Sequence, residues 1–153
     1  MNVRDCPCGA GARYRECCGP LHEGAKLAVT PEALMRSRWS GFALGKGEYL
    51  YDTLASDHPD RAAPRAAAAR ELGRAKDRQR FMKLTILDAA EDEVLFHARV
   101  FEKGQDRSFA ELSRFVREAG AWRYASGLLL PASALPADVT TLDRAAFLAL
   151  GPA

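Results

Sequence analysis

The sequence predicts an α+β fold with a short metal-binding segment in front of it, and three observations carry that prediction. Helical periodicity is confined to residues 30 to about 77, strand-like alternation takes over from about 81 to 128, and all four cysteines fall within the first 18 of 153 positions. Helices first and a run of antiparallel strands afterwards is the order of an α+β domain, not of alternating βαβ units. A chain of this length folds around one main core and buries roughly 70% of the surface its unfolded form exposes.

The elements follow in order. Thr30-Pro31-Glu32 starts the first helix with a hydroxyl cap, a proline at the first helical position and an acid facing the helix dipole. Met35, Trp39 and Phe42, flanked by Leu34 and Ala43, form its apolar face, and Gly45 and Gly47 mark its end. A second short helix carries Tyr49, Leu50 and Leu54 up to His58-Pro59, and Pro64 opens an Ala/Arg-rich helix to about Asp77. The period then drops to two: 81–88 (FMKLTILD), 94–102 (VLFHARVFE), 107–118 (RSFAELSRFVRE) and 121–128 (AWRYASGL) read as strands. They are separated by AAEDE, KGQD and a tight turn at Ala119-Gly120. Beyond them the chain is proline-punctuated, with a short helix capped by Thr140 and Asp143. This divides the chain into 1–28, 29–130 and a tail, 131–153.

Composition narrows the functional classes. The longest uncharged stretch, Tyr124 to Ala137, is broken by Pro131 and Pro136, and MNVRDCPCG has no signal-peptide character, so the expectation is a cytoplasmic protein with no membrane segment. The net charge of +2 is uninformative, but residues 61 to 83 hold eight basic side chains against two acidic ones. That excess suits phosphate or an acidic partner surface, or is a solvated helix face; little else in the chain reads nucleic acid, and direct nucleic-acid binding is left unproven.

The cysteines form the pattern Cys6-x-Cys8, eight residues, then Cys17-Cys18. A tetrahedral site needs four thiolate or imidazole donors at about 2.0–2.3 Å from two facing segments, which two close pairs joined by a tight loop can supply. Pro7 stiffens the first pair, Gly9 and Gly11 let the loop turn steeply, and Arg4, Arg13 and Arg15 favour thiolates. Bridging neighbouring cysteines would strain the disulfide, and reducing cytoplasm disfavours cross-pairing. Zinc suits this donor set first and iron second. With four cysteine ligands there is no open position for water, so the site is structural or an interaction surface and not a catalytic centre. His22 is the one imidazole near enough to replace a cysteine, with capping of a turn as the alternative.

CPCGAGARYRECCG resembles the SEC-C motif, a metal-binding element found at the C-terminus of the SecA preprotein translocase motor. The continuation CCGPLHEG, TPEALMRSRWSGFALGKGEYL and SRFVREAGAWRYASG resembles the YchJ family of SEC-C motif-containing proteins. The resemblance implies a zinc-binding knuckle on a nuclear-transport-factor-two-like (cystatin-like) domain, a cone of helices wrapped by a curved antiparallel sheet. It implies no established activity. In the translocase the motif contacts a secretion chaperone and the ribosome, which makes a protein partner the expectation here. No cysteine follows Cys18, so this chain carries one such motif.

In a cone-shaped domain, polar residues facing inward are the candidates for a pocket. Arg38 sits between Leu34 and Phe42 inside an apolar helix face, where an unpaired charge is costly, and Glu111 is its expected partner. His97 and Arg99 share a strand face with Leu95 and Phe101. Arg38, His97 and Glu111 therefore define either a ligand pocket or a satisfied structural network. Trp122 and Tyr124 read as core and pocket wall. No catalytic constellation emerges from three scattered histidines, and the glycine pairs lack the context of phosphate loops. Three functions remain: a zinc-dependent adaptor that docks on ribosome, chaperone or nascent protein; a small-molecule binder or enzyme using the cone; and a metal-handling protein.

Overall fold

The computed structural model describes residues 5–152, so Arg4, one of the three arginines expected near the thiols, lies outside the described residues. A 3-10 turn at Tyr14–Glu16 and the one-turn helix α1 (Gly19–His22) build the N-terminal knuckle. Helix α2 (Pro31–Leu44) begins as its sequence dictates, with the Thr30 hydroxyl oxygen accepting from the Ala33 N–H at 3.0 Å. Helices α3 (Gly47–Asp52), α4 (Arg65–Gly73) and α5 (Ala75–Arg78) follow, with a 3-10 turn at Pro59–Ala62 capped by His58. The single helix expected from Pro64 to about Asp77 is thus two, broken where Gly73 lies against the backbone of Gly45 and Gly47. Leu54, expected on the second helix, lies beyond it in a parallel bridge to Tyr124.

Strands β1 (Arg80–Ala90), β2 (Glu93–Glu102), β3 (Gln105–Asp106), β4 (Phe109–Glu118) and β5 (Ala121–Pro131) form one antiparallel sheet in the order β1-β2-β4-β5, with β3 on β2. The strand expected from 107 is interrupted because Ser108 turns to local partners: its N–H donates to Asp106, and its hydroxyl oxygen accepts from Val100 N–H. At the expected Ala119-Gly120 turn both residues have positive φ, which matches the twist of the flanking strands. Register shifts at Phe81/Lys83, Ile86/Asp88 and Arg114/Phe115 bend the sheet.

Each face of that bent sheet is covered differently. On the concave side Leu84, Val94, Phe96, Ala98, Val100 and Phe115 pack against Leu34, Met35 and Trp39 of α2, and Cys6, Cys8 and Cys18 join the same core. On the convex side Leu95, Ala110, Leu112 and Leu130 are covered by Leu142 and Phe147 from the tail, the latter on helix α6 (Arg144–Ala149). Asp143 caps α6 as its sequence predicts; Thr140 does not, and instead donates its hydroxyl to Asp138, which caps the turn at Val139–Thr141. Among the described residues no helix is long and apolar enough to cross a membrane.

Candidate functional site

The loop from Cys6 to Cys18 closes on itself. Cys6 N–H donates to Ala12 C=O at 3.0 Å, and Gly9 and Gly11, both at positive φ, turn the chain between them. The sulfurs of Cys6, Cys8, Cys17 and Cys18 consequently all lie within 4.8 Å of one another, with Cys8 and Cys17 at 3.5 Å and no disulfide among them. Four sulfurs at about 2.3 Å from one tetrahedral ion stand roughly 3.8 Å apart, so this cluster is close to the size such an ion requires.

The electrostatics point the same way. Hydrogen bonds donated by Cys18 and Cys8 hold the Cys6 thiol far below the usual range. Burial, then the neighbouring sulfurs, pushes Cys17 up to about 12, and donation to Cys6 pushes Cys18 higher still. By itself the cluster therefore favours a thiolate at Cys6 and resists one at Cys17 and Cys18. A bound cation reverses that balance, because a coordinating thiol is deprotonated outright.

Helix α2 supports the knuckle directly. Trp39 Nε1 donates to Pro7 C=O and Arg36 Nη1 to Cys8 C=O, each at 3.0 Å, while the Ser40 hydroxyl works against the upward shift of the Cys18 thiol. Both ring nitrogens of His22 are engaged away from the sulfurs, and neither caps a turn: Nε2 donates to Ser37 C=O at 2.8 Å, and Nδ1 accepts from Tyr14 O–H at 2.7 Å. A backbone carbonyl can only accept, so these partners assign the proton of the neutral ring to Nε2. Sequence reasoning missed Arg36, Ser37 and Ser40. The signal was present in the two serines, one turn apart within an otherwise apolar helix face.

The second candidate region is a cavity of about 340 Å³ between α2 and the sheet, lined by Arg38 and Glu111 together with Trp39, Phe96, Phe109 and Tyr124. His97 is not part of it: side chains alternate along β2, and with Phe96 turned inward His97 faces the convex side, paired with Thr85 and Ala110. The expected Arg38–Glu111 pair is not made either. Arg38 Nη1 donates to Leu50 C=O at 2.7 Å and to Thr53 Oγ1 at 2.6 Å, whereas Glu111 Oε2 accepts from Tyr124 O–H at 2.6 Å and Ser113 O–H at 2.7 Å. Burial lowers the Arg38 pKa to about 10, still charged at neutral pH. Burial, then the Glu111 charge, pushes the Tyr124 phenol up. Gly127 makes the arrangement possible, since a Cβ there would collide with the Glu111 carboxylate. Trp122 lies outside the cavity, with its Nε1 buried and unpartnered.

Part of the basic run is spent on neighbouring acids, with Arg65 on Asp52 at 2.7 Å, Arg78 on Glu71 at 3.1 Å and Lys76 on Asp77 at 3.2 Å. These pairs are exposed and contribute little individually.

The chain matches the family of the YchJ middle NTF2-like domain over residues 30–127. It is 40% identical over 122 residues to a UPF0225 protein of Deinococcus radiodurans, covering 79% of this chain and 86% of that protein. It is also 36% identical over 128 residues to the UPF0225 protein YchJ of Shigella dysenteriae, covering 80% and 81% of the two chains. Among solved structures, a SEC-C motif containing protein from Rhodopseudomonas palustris superposes with a TM-score of 0.68 at 34% identity, over 83% of this chain and 97% of that one. A second, from Psychrobacter arcticus, shares the fold with a TM-score of 0.60 at 21% identity, over 82% of each chain.

Proposed function

Because this chain belongs to the YchJ family of SEC-C motif-containing proteins, we propose that it is a metal-dependent interaction protein whose knuckle docks on a protein partner. The observation that carries this reading is the convergence of the Cys6, Cys8, Cys17 and Cys18 sulfurs on one centre backed by Arg36 and Trp39. Zinc is the ion proposed, with iron as its competitor, held by all four thiolates in a closed site that orders the loop and does no chemistry on a substrate. The surface beside the ordered loop is partly apolar. Leu27 and Val29, at the junction with α2, are 66% and 82% exposed beside a groove of about 380 Å³ lined by Leu21, Ala28 and Trp122. Isolated exposed aliphatics are common, but two beside a groove fit a protein partner better than they fit free solvent. The ribosome, a secretion chaperone or a nascent chain in the cytoplasm is the proposed partner class.

The test has two readouts. Elemental analysis of protein purified under reducing, low-oxygen conditions should find about one zinc or iron per chain, with Cys17→Ser weakened or empty. Co-sedimentation of the metal-loaded chain with ribosomes, and separately with a secretion chaperone, should then be reduced in Leu27→Asp/Val29→Asp, whose surface positions leave the fold intact. Full metal occupancy with no binding to either partner would overturn the docking reading and leave the metal site standing.

A further inference from the structure

We infer that the concave side of the sheet is a binding site for a small apolar carboxylate, with Arg38 reading the acid group. The inference does not depend on the knuckle. It begins with a buried cation that lacks the partner its position calls for.

Arg38 is only 5% exposed, and a guanidinium at that depth is usually matched by a carboxylate. Here both of its hydrogen bonds run from Nη1, and both acceptors, Leu50 C=O and Thr53 Oγ1, are neutral. Among the described residues no acid forms an ion pair with it. Among the described residues Nε and Nη2 carry no hydrogen bond, yet neither is among the side-chain nitrogens that are fully buried without a partner, which are those of Arg61 and Trp122. The remaining Arg38 donors thus retain open surface, and the cavity is what they open onto. Nε–H and Nη2–H together form the edge that takes a carboxylate bidentately. The guanidinium carbon stands 5.1 Å over the Tyr124 ring and 5.8 Å over Phe42, which fixes the plane of that edge.

The rest of the wall sets the other end of the ligand. Trp39, Phe81, Phe96 and Phe109 offer apolar surface without hydrogen-bonding demands inside the cavity, and about 340 Å³ lies at the small end of ligand pockets, which span about 300–1,000 Å³. An aryl or branched-alkyl group with one acid fits both requirements. Glu111 and Asp60, which also lines the cavity, are the competing charges. Glu111 Oε2 already accepts two hydroxyls, so it is held in place, while both charges oppose a second anion.

The experiment is an NMR titration of the metal-loaded full chain with 3-phenylpropionate, 3-phenylpropanol and 3-phenylpropylamine, which share a body and differ in head group. The Trp39 indole N–H reports on the cavity, and the Trp122 indole, outside it, is the internal control. The acid should shift Trp39 saturably with Trp122 unmoved, and the alcohol and amine should bind at least tenfold more weakly. Arg38→Met should weaken the acid at least tenfold. Glu111→Gln, which keeps an oxygen for Tyr124 and Ser113, should tighten it severalfold. The inference fails if the acid gives no saturable shift up to about 10 mM, the range of fragment-sized affinities. It also fails if the alcohol or amine matches the acid, or if Glu111→Gln weakens the acid as Arg38→Met does.

Discussion

The knuckle and the cone obtain their order from different sources. Residues 5–22 contain one 3-10 turn and a single turn of α-helix, too little hydrogen-bonded backbone to persist alone. The sheet behind them has strands of 10 and 11 residues and an apolar face on each side. One region closes around a few donor atoms; the other closes around buried area. The contrast fits the gathering of all the thiols at one end: under the proposed function only that segment calls for a metal, because it has too little regular structure of its own to hold its loop without one.

The largest break in this comparison is removal of the metal. Chelation, or Cys8→Ser at a fully buried sulfur, should empty the site and release the loop from Cys6 to Cys18. Structural zinc in isolated peptides is worth about 10–16 kcal/mol, and that free energy is the folding free energy of the segment it orders. Amide spectra should show residues 6–18 losing dispersion while β2 and β4 keep theirs. If the sheet signals collapse together with the loop, the two regions form one cooperative unit and the division between them is wrong.

Legibility in the sequence divides along the same line. Thr30-Pro31, Ala119-Gly120, Asp143 and the gathering of the four thiols are legible because capping, turn conformation and the closing of a short loop are set by a few adjacent residues. The α+β order was legible from periodicity alone. Which face of β2 turns inward was not: alternation puts His97 opposite Phe96, but it is α2 that makes the Phe96 side concave, and that is a tertiary fact. Arg38 was recognisable as an anomaly in an apolar face, but its partners are a carbonyl and a hydroxyl, which leave no charge pattern to find. The place of the tail is likewise a tertiary fact, set by Leu142 and Phe147 packing on the convex cluster.

A smaller perturbation acts at the seam between the regions. Burial, ahead of the other influences, holds the His22 pKa below its ordinary 6.5. The unfolded chain therefore takes up a proton near pH 6.5 and the folded chain only at lower pH. The contribution of this contact is complete above pH 6.5 and is lost as the pH falls through the folded value, with a slope of at most about 1.4 kcal/mol per pH unit for one proton. Acid also strips metal from thiolates, so the seam must be separated from the site. His22→Gln should flatten the decline just below pH 6.5 in denaturation midpoints while metal release keeps its own pH midpoint. An unchanged decline in that variant would place the acid sensitivity elsewhere, in the sulfurs or in His97, whose burial likewise holds its pKa down.

The mildest test is Thr30→Ala. Thr30 begins the helix that carries Arg36 and Trp39 to the knuckle, and its hydroxyl accepts one of the four amide protons left unpaired at the helix start. Removing that acceptor should cost about 1 kcal/mol of stability, read from the denaturation midpoint of the metal-loaded chain. The loss should stay in the cone. Arg36 and Trp39 lie beyond the first turn, where fraying at the N-terminus does not reach, so metal affinity measured by competition with a chelator should match the wild type. A parallel fall in metal affinity would show that support for the knuckle begins at the helix cap itself, and that the two regions are joined one turn earlier than the hydrogen bonds to Pro7 and Cys8 imply.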